Sequence, residues 1–178
     1  TIHWAPLMQL NSKAFLEKAM LLGSRVSAST RLVVNALSDA LAYRAERPVG
    51  RNIFALMDYQ VSQLRGQPVH FLGHSLGALI NADYLRTRPD IRIGSMQTFG
   101  TNIPLFTLGD KFDVPARLKV GKVPWYNYLY ASDSLGYPLC TLSELEHVKD
   151  IILDEAAGWR WSYLIPGLSH VDYFSDKV

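Results

Sequence analysis

The sequence feature that most constrains the fold is a short apolar run that leads directly into a glycine-flanked serine and then into a helical stretch. Residues 69–72 read Val-His-Phe-Leu, which is typical of a strand buried on both faces. Gly73-His74-Ser75-Leu76-Gly77 follows, and the helical stretch from Ala78 to about Arg86 ends before Pro89. So tight a turn strains the serine backbone and excludes bulky neighbours. We therefore predict that the Ser75 hydroxyl projects from a sharp bend between sheet and helix.

Helix-like and strand-like segments alternate along the rest of the chain. Apolar spacing and N-capping residues predict helices at about 11–22, 32–41 and 52–64, the last preceded by a break at Pro48, Val49 and Gly50. Downstream, the sequence predicts strands at 91–99 and 125–130, a Pro-containing loop at 101–106, a helix near 143–149 and an ambiguous segment at 151–165. This alternation favours an α/β fold with a mostly parallel sheet flanked by helices.

Size and composition limit the classes of protein to consider. With 178 residues and 48% apolar side chains, the chain can bury one core. We expect a single domain over residues 1–178, in which residues 1–50 form a helical cover or cap and residues 52–178 form the catalytic core. The formal charge of +2 and the dispersed basic residues argue against a nucleic-acid partner. No run is apolar for long enough to predict a transmembrane segment.

The single cysteine, Cys140, excludes an internal disulfide framework and is compatible with a reducing compartment, so we expect a cytoplasmic protein. Its surroundings carry no signature of a cysteine enzyme, and we predict that it is buried filler. The chain begins at Thr1 and opens on no recognisable element, which leaves open a processed, a truncated or a minimal N-terminal part.

A serine hydroxyl needs a base to accept its proton and a group that holds the base in one tautomer. In a strand–serine–helix arrangement the acid and then the histidine follow the nucleophile along the chain, which leaves His147 and His170. His147 falls in a polar helical pattern, whereas His170 falls in a loop, where catalytic side chains are commonly placed. We predict His170 as the base, with a structural loop histidine as the alternative. The backbone N–H of Leu76 is the predicted oxyanion donor.

Asp133 is the predicted acid because it directly follows the aromatic strand at 125–130. Asp110 and Asp113 also lie downstream of Ser75, but the sequence around Asp110 is typical of a surface turn. Asp172 is too close to His170 in sequence to take a separate position easily.

These residues resemble the α/β-hydrolase superfamily, in particular its lipase- and esterase-like members, from about Ile53 to the C-terminus. Residues 69–78 are similar to the nucleophile elbow of that group, 133–139 to its acid loop and 169–173 to its histidine loop. The resemblance implies an acyl-enzyme at Ser75, hydrolysis of a small-molecule or lipid ester, and no cofactor or metal.

The chain departs from the family pattern in the helices predicted before Asn52, which do not match the usual first half of the sheet, and at the second oxyanion donor. The second oxyanion donor normally comes from a loop marked by His-Gly, and this pair does not occur in the sequence. A catalytically weak or silent binding protein on the same fold therefore stays open, as does an acyltransferase or thioesterase. Ile103, Leu105 and Phe106 are predicted to line the substrate site, with a place in the core as an equal alternative.

Overall fold

The computed structural model describes Tyr43 and residues 47–108, 113–133, 135–153 and 169–174. The chain divides into two compact units, residues 1–65 and residues 66–178, and each is described by itself. The helices predicted at 11–22 and 32–41 lie outside the described residues. The single domain, with its cap over 1–50 and its core over 52–178, stays a prediction.

The described part of the first unit is a helix, α1, which runs from Arg47 to Ser62. The sequence predicted a break at Pro48 and Gly50, and this prediction is wrong. Proline is tolerated in the first turn because the N–H groups there have no intrahelical acceptor in any case. Ile53 and Met57, one turn apart, are the buried residues of α1.

The described part of residues 66–178 contains a four-stranded sheet in which all neighbouring strands are parallel. The strands are β1 (Val69–His74), β2 (Ile93–Phe99), β3 (Trp125–Tyr130) and β4 (Lys149–Leu153), in that spatial order. The helices are α2 (Leu76–Thr87), α3 (Ile103–Leu108) and α4 (Ala116–Lys119), with 3₁₀ helices at Ser143–Leu145 and Ser169–Phe174. This arrangement confirms the α/β class and the parallel sheet. Parallel neighbours need crossover connections; α2 lies in the first, α3 and α4 in the second, and the 3₁₀ helix Ser143–Leu145 in the third.

The strands present one buried row to the core. Phe71 of β1 lies beside Met96 of β2, which lies beside Trp125 of β3, and all three are buried. Along β1 buried and exposed residues alternate, and Leu72 is 60% exposed. The prediction that β1 is buried on both faces is therefore wrong.

Two segments differ from the elements predicted for them. Residues 103–108 form α3 instead of a loop, because the Thr101 hydroxyl accepts from the N–H of Ile103 and the Asn102 carbonyl accepts from the N–H of Leu105. The segment at 143–149 is a 3₁₀ helix followed by the start of β4. The buried residues here are Leu142, just before the segment, and Leu145 and Val148 within it. A buried residue at every third position suits successive 3₁₀ turns as well as an α-helix.

Buried polar side chains join β2, β3 and β4. Thr98 and Asn127 are fully buried, and the Thr98 hydroxyl donates to Asn127 Oδ1 at 2.8 Å. Asn127 Nδ2 donates to Asp150 Oδ1 of β4 at 2.6 Å, and Trp125 Nε1 donates to Thr98 Oγ1 at 3.2 Å. Paired in this way, polar groups in a core define one register of the strands.

Asp150 also fixes the loop that follows the predicted acid. Its carboxylate accepts from the N–H groups of Leu139 at 3.0 Å and Cys140 at 2.9 Å. Cys140 itself is exposed, so its prediction as buried filler is wrong.

Arg117 of α4 caps the carboxyl end of α2 and the turn after it. Its guanidinium donates to four backbone carbonyls, those of Leu85, Arg88, Pro89 and Ile91, at 2.7 to 3.0 Å. Carbonyls at a helix end have no intrahelical donor, and a cation there also offsets the helix dipole.

Among the described residues, no helix combines the length and the apolar character needed to cross a bilayer.

We expect Asn127→Ala to lower the free energy of unfolding by about 2–4 kcal/mol, because it leaves the hydrogen of the buried Thr98 hydroxyl without its acceptor and removes one donor from the Asp150 carboxylate. Urea unfolding measures this difference. Gln67→Ala removes an exposed amide and is the matched control. Equal stabilities of the two variants would contradict a stabilising role for the hydrogen bonds that Asn127 makes with Thr98 and Asp150.

Candidate active site

Ser75 lies at the bend between β1 and α2. Its backbone has φ 52° and ψ −123°, a combination that costs a non-glycine residue about 1–3 kcal/mol. A Cβ on Gly73 would stand 2.7 Å from the backbone of Ala78, so only glycine fits where the helix turns back on the strand. The hydroxyl of Ser75 makes no capping bond to α2. The bend predicted from the sequence is therefore present, and its serine is held in strained geometry.

The backbone of Ser75 is tied to the neighbouring strand. Its N–H donates to the Phe99 carbonyl at 2.9 Å, at the carboxyl end of β2. Leu76, 4% exposed, is the first residue of α2, so its N–H has no acceptor four residues back in the helix. An oxygen that develops charge beside Ser75 would meet this N–H at the positive end of the α2 dipole.

Asp133 follows β3, and its carboxylate is buried among three donors. His170 Nδ1 lies 2.9 and 3.0 Å from the two oxygens, the N–H of Leu135 donates to Oδ1 at 2.9 Å, and the Tyr173 hydroxyl donates to Oδ2 at 2.8 Å. Burial by itself raises the pKa of Asp133. The hydrogen bond and charge of His170, with the Leu135 and Tyr173 donors, outweigh it and hold the pKa below its ordinary value. Asp133 is therefore ionised at neutral pH.

His170 lies on the 3₁₀ helix Ser169–Phe174 and is 3% exposed. Because Nδ1 faces an ionised carboxylate, Nδ1 carries the hydrogen, and in the neutral ring Nε2 carries the lone pair. Nε2 is buried without a hydrogen-bond partner in the described part of the chain. Leaving a buried polar atom unpaired costs about 1–3 kcal/mol, and a catalytic role is one reason for such an atom to be present.

Gly100 makes room for this arrangement. Its φ is +52°, and a Cβ there would stand 2.6 Å from Asp133 Oδ2 and 3.1 Å from His170 Nδ1. Since Gly100 directly follows Phe99, the acceptor of the Ser75 N–H, the same stretch of backbone contacts all three predicted catalytic residues. The structure thus joins Asp133 to His170 directly, and the backbone of Ser75 is bonded to Phe99, one residue before the glycine that makes room for them.

His74, which the chain order excluded as the base, also belongs to this site. Its ring lies 4.8 Å from that of His170, and its Nε2 donates to the His170 carbonyl at 2.6 Å. Burial, followed by the charge of His170, lowers the pKa of His74, so the ring is neutral at neutral pH. Its position in the motif beside Ser75 is the signal from which sequence reasoning could have found it.

The remaining candidates lie elsewhere or outside the description. His147 is exposed, and the exposed Asp113 pairs with Lys119. Asp110 and the side chain of Asp172 are not among the described residues. Within the described residues, no group of three His, Cys, Asp or Glu side chains is arranged to hold a metal ion.

Of the three residues predicted to line the substrate site, two lie in the core. Ile103 is fully buried and Phe106 is 8% exposed, whereas Leu105 is 42% exposed. This pattern follows from α3, whose turn directs Ile103 and Phe106 to one side and Leu105 to another. A role of these residues in substrate binding stays a prediction.

Comparison with known proteins returned no match to a family model, a curated protein or a solved structure. What the chain does must therefore be inferred from its residues and their geometry.

The depressed pKa of Asp133 predicts how the stability of the protein depends on pH. A carboxylate with a lowered folded-state pKa stabilises the fold above its unfolded pKa of about 3.9, and this contribution is lost as the pH falls through the folded value. We expect the difference in unfolding free energy between the wild type and Asp133→Asn to be largest above about pH 5 and to shrink below about pH 4. Glu146→Gln, at an exposed carboxylate, is the control. A difference that does not change with pH would contradict an ionised, hydrogen-bonded Asp133.

Proposed function

We propose that this chain is a serine hydrolase of the α/β-hydrolase type that cleaves carboxylic esters through an acyl-enzyme at Ser75. The observation that carries the proposal is the buried Nε2 of His170, to which no described residue is hydrogen-bonded, while Nδ1 is held by an ionised Asp133 and a strained serine is bonded to the neighbouring end of β2. A nucleophile, a base and an acid that orients the base are the groups that acyl transfer requires.

The order of the elements supports the same proposal. The nucleophile follows β1, the acid follows β3 and the histidine comes in the last described segment, which is the order serine, acid, histidine of that fold. In an open parallel sheet, ligands bind at the carboxyl ends of the strands, and Ser75 and Asp133 both directly follow strand ends at that edge.

The reaction starts when Nε2 of His170 takes the proton of the Ser75 hydroxyl as Oγ attacks the ester carbonyl carbon. The carbonyl oxygen becomes an oxyanion, which the N–H of Leu76 stabilises by a hydrogen bond. As the intermediate collapses, His170 returns the proton to the departing alkoxide and the alcohol leaves. Water then repeats these steps on the acyl-enzyme, and the products are a carboxylic acid and free Ser75. Asp133 stays ionised throughout and stabilises the charged imidazole.

We expect a fluorophosphonate probe to label the folded wild-type protein and Ser75→Ala to abolish the labelling, because the probe reacts only with an activated serine. Ser143→Ala, at an exposed serine, is the control and keeps full labelling. Labelling that survives in Ser75→Ala would refute the proposed nucleophile.

A folded wild-type protein that resists the probe would indicate a silent binding protein. If labelling occurs, competition between water and added alcohol or thiol for the acyl-enzyme distinguishes hydrolysis from acyl transfer.

We expect His170→Ala to lower kcat/KM for p-nitrophenyl acetate by roughly 10⁴-fold or more, because the serine loses its base. His147→Ala removes an exposed histidine and is expected to retain wild-type activity. Steady-state rates at neutral pH measure both variants. A larger loss in His147→Ala than in His170→Ala would reverse the assignment.

A further inference from the structure

Tyr173 lies on the same 3₁₀ helix as His170, three residues later, and both side chains reach one carboxylate. The Tyr173 hydroxyl lies 2.8 Å from Asp133 Oδ2, and His170 Nδ1 lies 2.9 Å from the same oxygen. One short helix therefore supplies two of the donors that surround Asp133.

The direction of the tyrosine O–H bond is fixed by a second contact. The backbone N–H of Tyr130 donates to the Tyr173 oxygen at 3.1 Å. Because a phenol has one hydrogen, and the Tyr130 N–H already occupies an acceptor site on this oxygen, that hydrogen is directed to Asp133. Burial raises the pKa of Tyr173 well above its ordinary value, so the hydroxyl keeps its hydrogen at neutral pH.

The ring of Tyr173 also has a defined place. It packs on the ring of Tyr130 at 4.8 Å between centroids and meets His170 edge to face at 6.4 Å. A Cβ on Gly100 would stand 2.7 Å from its Cε2 atom, so the absence of a side chain at that position makes room for the ring. Contacts on several sides hold the hydroxyl at Asp133.

We propose that Tyr173 is a positioning residue for the reaction: its hydroxyl holds the Asp133 carboxylate in the orientation that aligns the imidazole of His170. This inference rests on the proposed hydrolase function. Tyr173 acts through Asp133 and has no contact with the reacting atoms in the mechanism above. Within the described part of the chain, the other titratable groups that face this carboxylate are His170 and, behind it, His74, whose ring lies 5.5 Å from that of Tyr173.

The test is Tyr173→Phe, which removes the hydroxyl and keeps the ring. We expect kcat for p-nitrophenyl acetate to fall about 10- to 100-fold with KM nearly unchanged, because a hydrogen bond to a charged group is lost away from the substrate. The acidic limb of the kcat/KM profile should move to higher pH, because a carboxylate with one donor fewer keeps more of its negative charge and favours the protonated imidazole, which cannot accept the Ser75 proton. Wild-type kinetics in Tyr173→Phe would overturn the proposal.

Tyr128→Phe is the matched control. The ring of Tyr128 stacks on the ring of Phe99 at this end of the sheet, with 4.8 Å between the centroids, and Tyr128 makes no hydrogen bond to Asp133. We expect it to retain wild-type kcat, KM and pH profile. An equal effect of the two variants would show that a general disturbance of the aromatic packing is responsible, and would overturn the positioning role.

A double-mutant cycle tests whether Tyr173 acts through Asp133. We expect Tyr173→Phe to cost nothing further in an Asp133→Asn background, because the hydroxyl then has no charged carboxylate to orient. Additive losses would refute the inference.

If Tyr173→Phe fails to fold, 3,5-difluorotyrosine at position 173 keeps the hydroxyl and makes it a stronger donor. The acidic limb of the kcat/KM profile should then move to lower pH. An unmoved limb would count against the proposal.

A spectroscopic readout separates this inference from the proposed function. An imidazole N–H bonded to a carboxylate gives a low-field proton resonance, which we expect from His170 Nδ1–H in the wild type and Tyr128→Phe. In Tyr173→Phe it should shift upfield or broaden. If the wild type hydrolyses no ester but the resonance responds in this way, the hydrolase proposal fails and the orienting contact stands. If esterase activity is present and neither kinetics nor resonance responds to Tyr173→Phe, only the inference fails.

Discussion

The ionised carboxylate of Asp133 is buried, and a buried charge is stable only when hydrogen-bond donors surround it. Its donors come from different parts of the chain: the backbone at Leu135, just after it, and the side chains of His170 and Tyr173, on the final 3₁₀ helix. The end of β2 meets the same carboxylate at Gly100, where a side chain would occupy its space. Satisfying this one charge therefore fixes the positions of the acid loop and the last helix together, and with them the histidine that faces the serine edge of the sheet.

Much of this arrangement is encoded locally and can be read from the sequence. The bend at Ser75 was predictable because Gly73 and Gly77 mark a turn that other residues cannot make, and the aromatic run at 125–130 matches β3. The strands β1, β2 and β3 follow from the alternation of strand-like and helix-like segments. The strand β4 does not, because it begins where the sequence predicted a helix and continues into the segment that was ambiguous. The segment at 143–149 was not predictable in this way, since buried residues at every third position suit a 3₁₀ helix as well as an α-helix.

The contacts that complete the site depend on which distant segments meet, and no periodicity encodes them. Tyr173 reaches Asp133 across 40 residues of sequence, and His74 reaches His170 across 96. A tyrosine three positions after a histidine is not a recognised motif. Its contact with the acid becomes evident only in the structure, where both side chains are hydrogen-bonded to Asp133. The same limit explains why Ile103 and Phe106 could be read equally as core or as lining, because an apolar side chain next to a strand end suits both positions.

Helix α2 connects the serine bend to a distant part of the molecule. Its first N–H groups lie beside Ser75, while Arg117 holds the carbonyls at its other end. Twelve helical residues span roughly 18 Å and move as a stiff rod. A change in the segment that carries Arg117 would therefore act through α2 on the N–H of Leu76, the proposed oxyanion donor, without touching a group of the proposed reaction. Substitutions far from the serine would then lower the proposed activity.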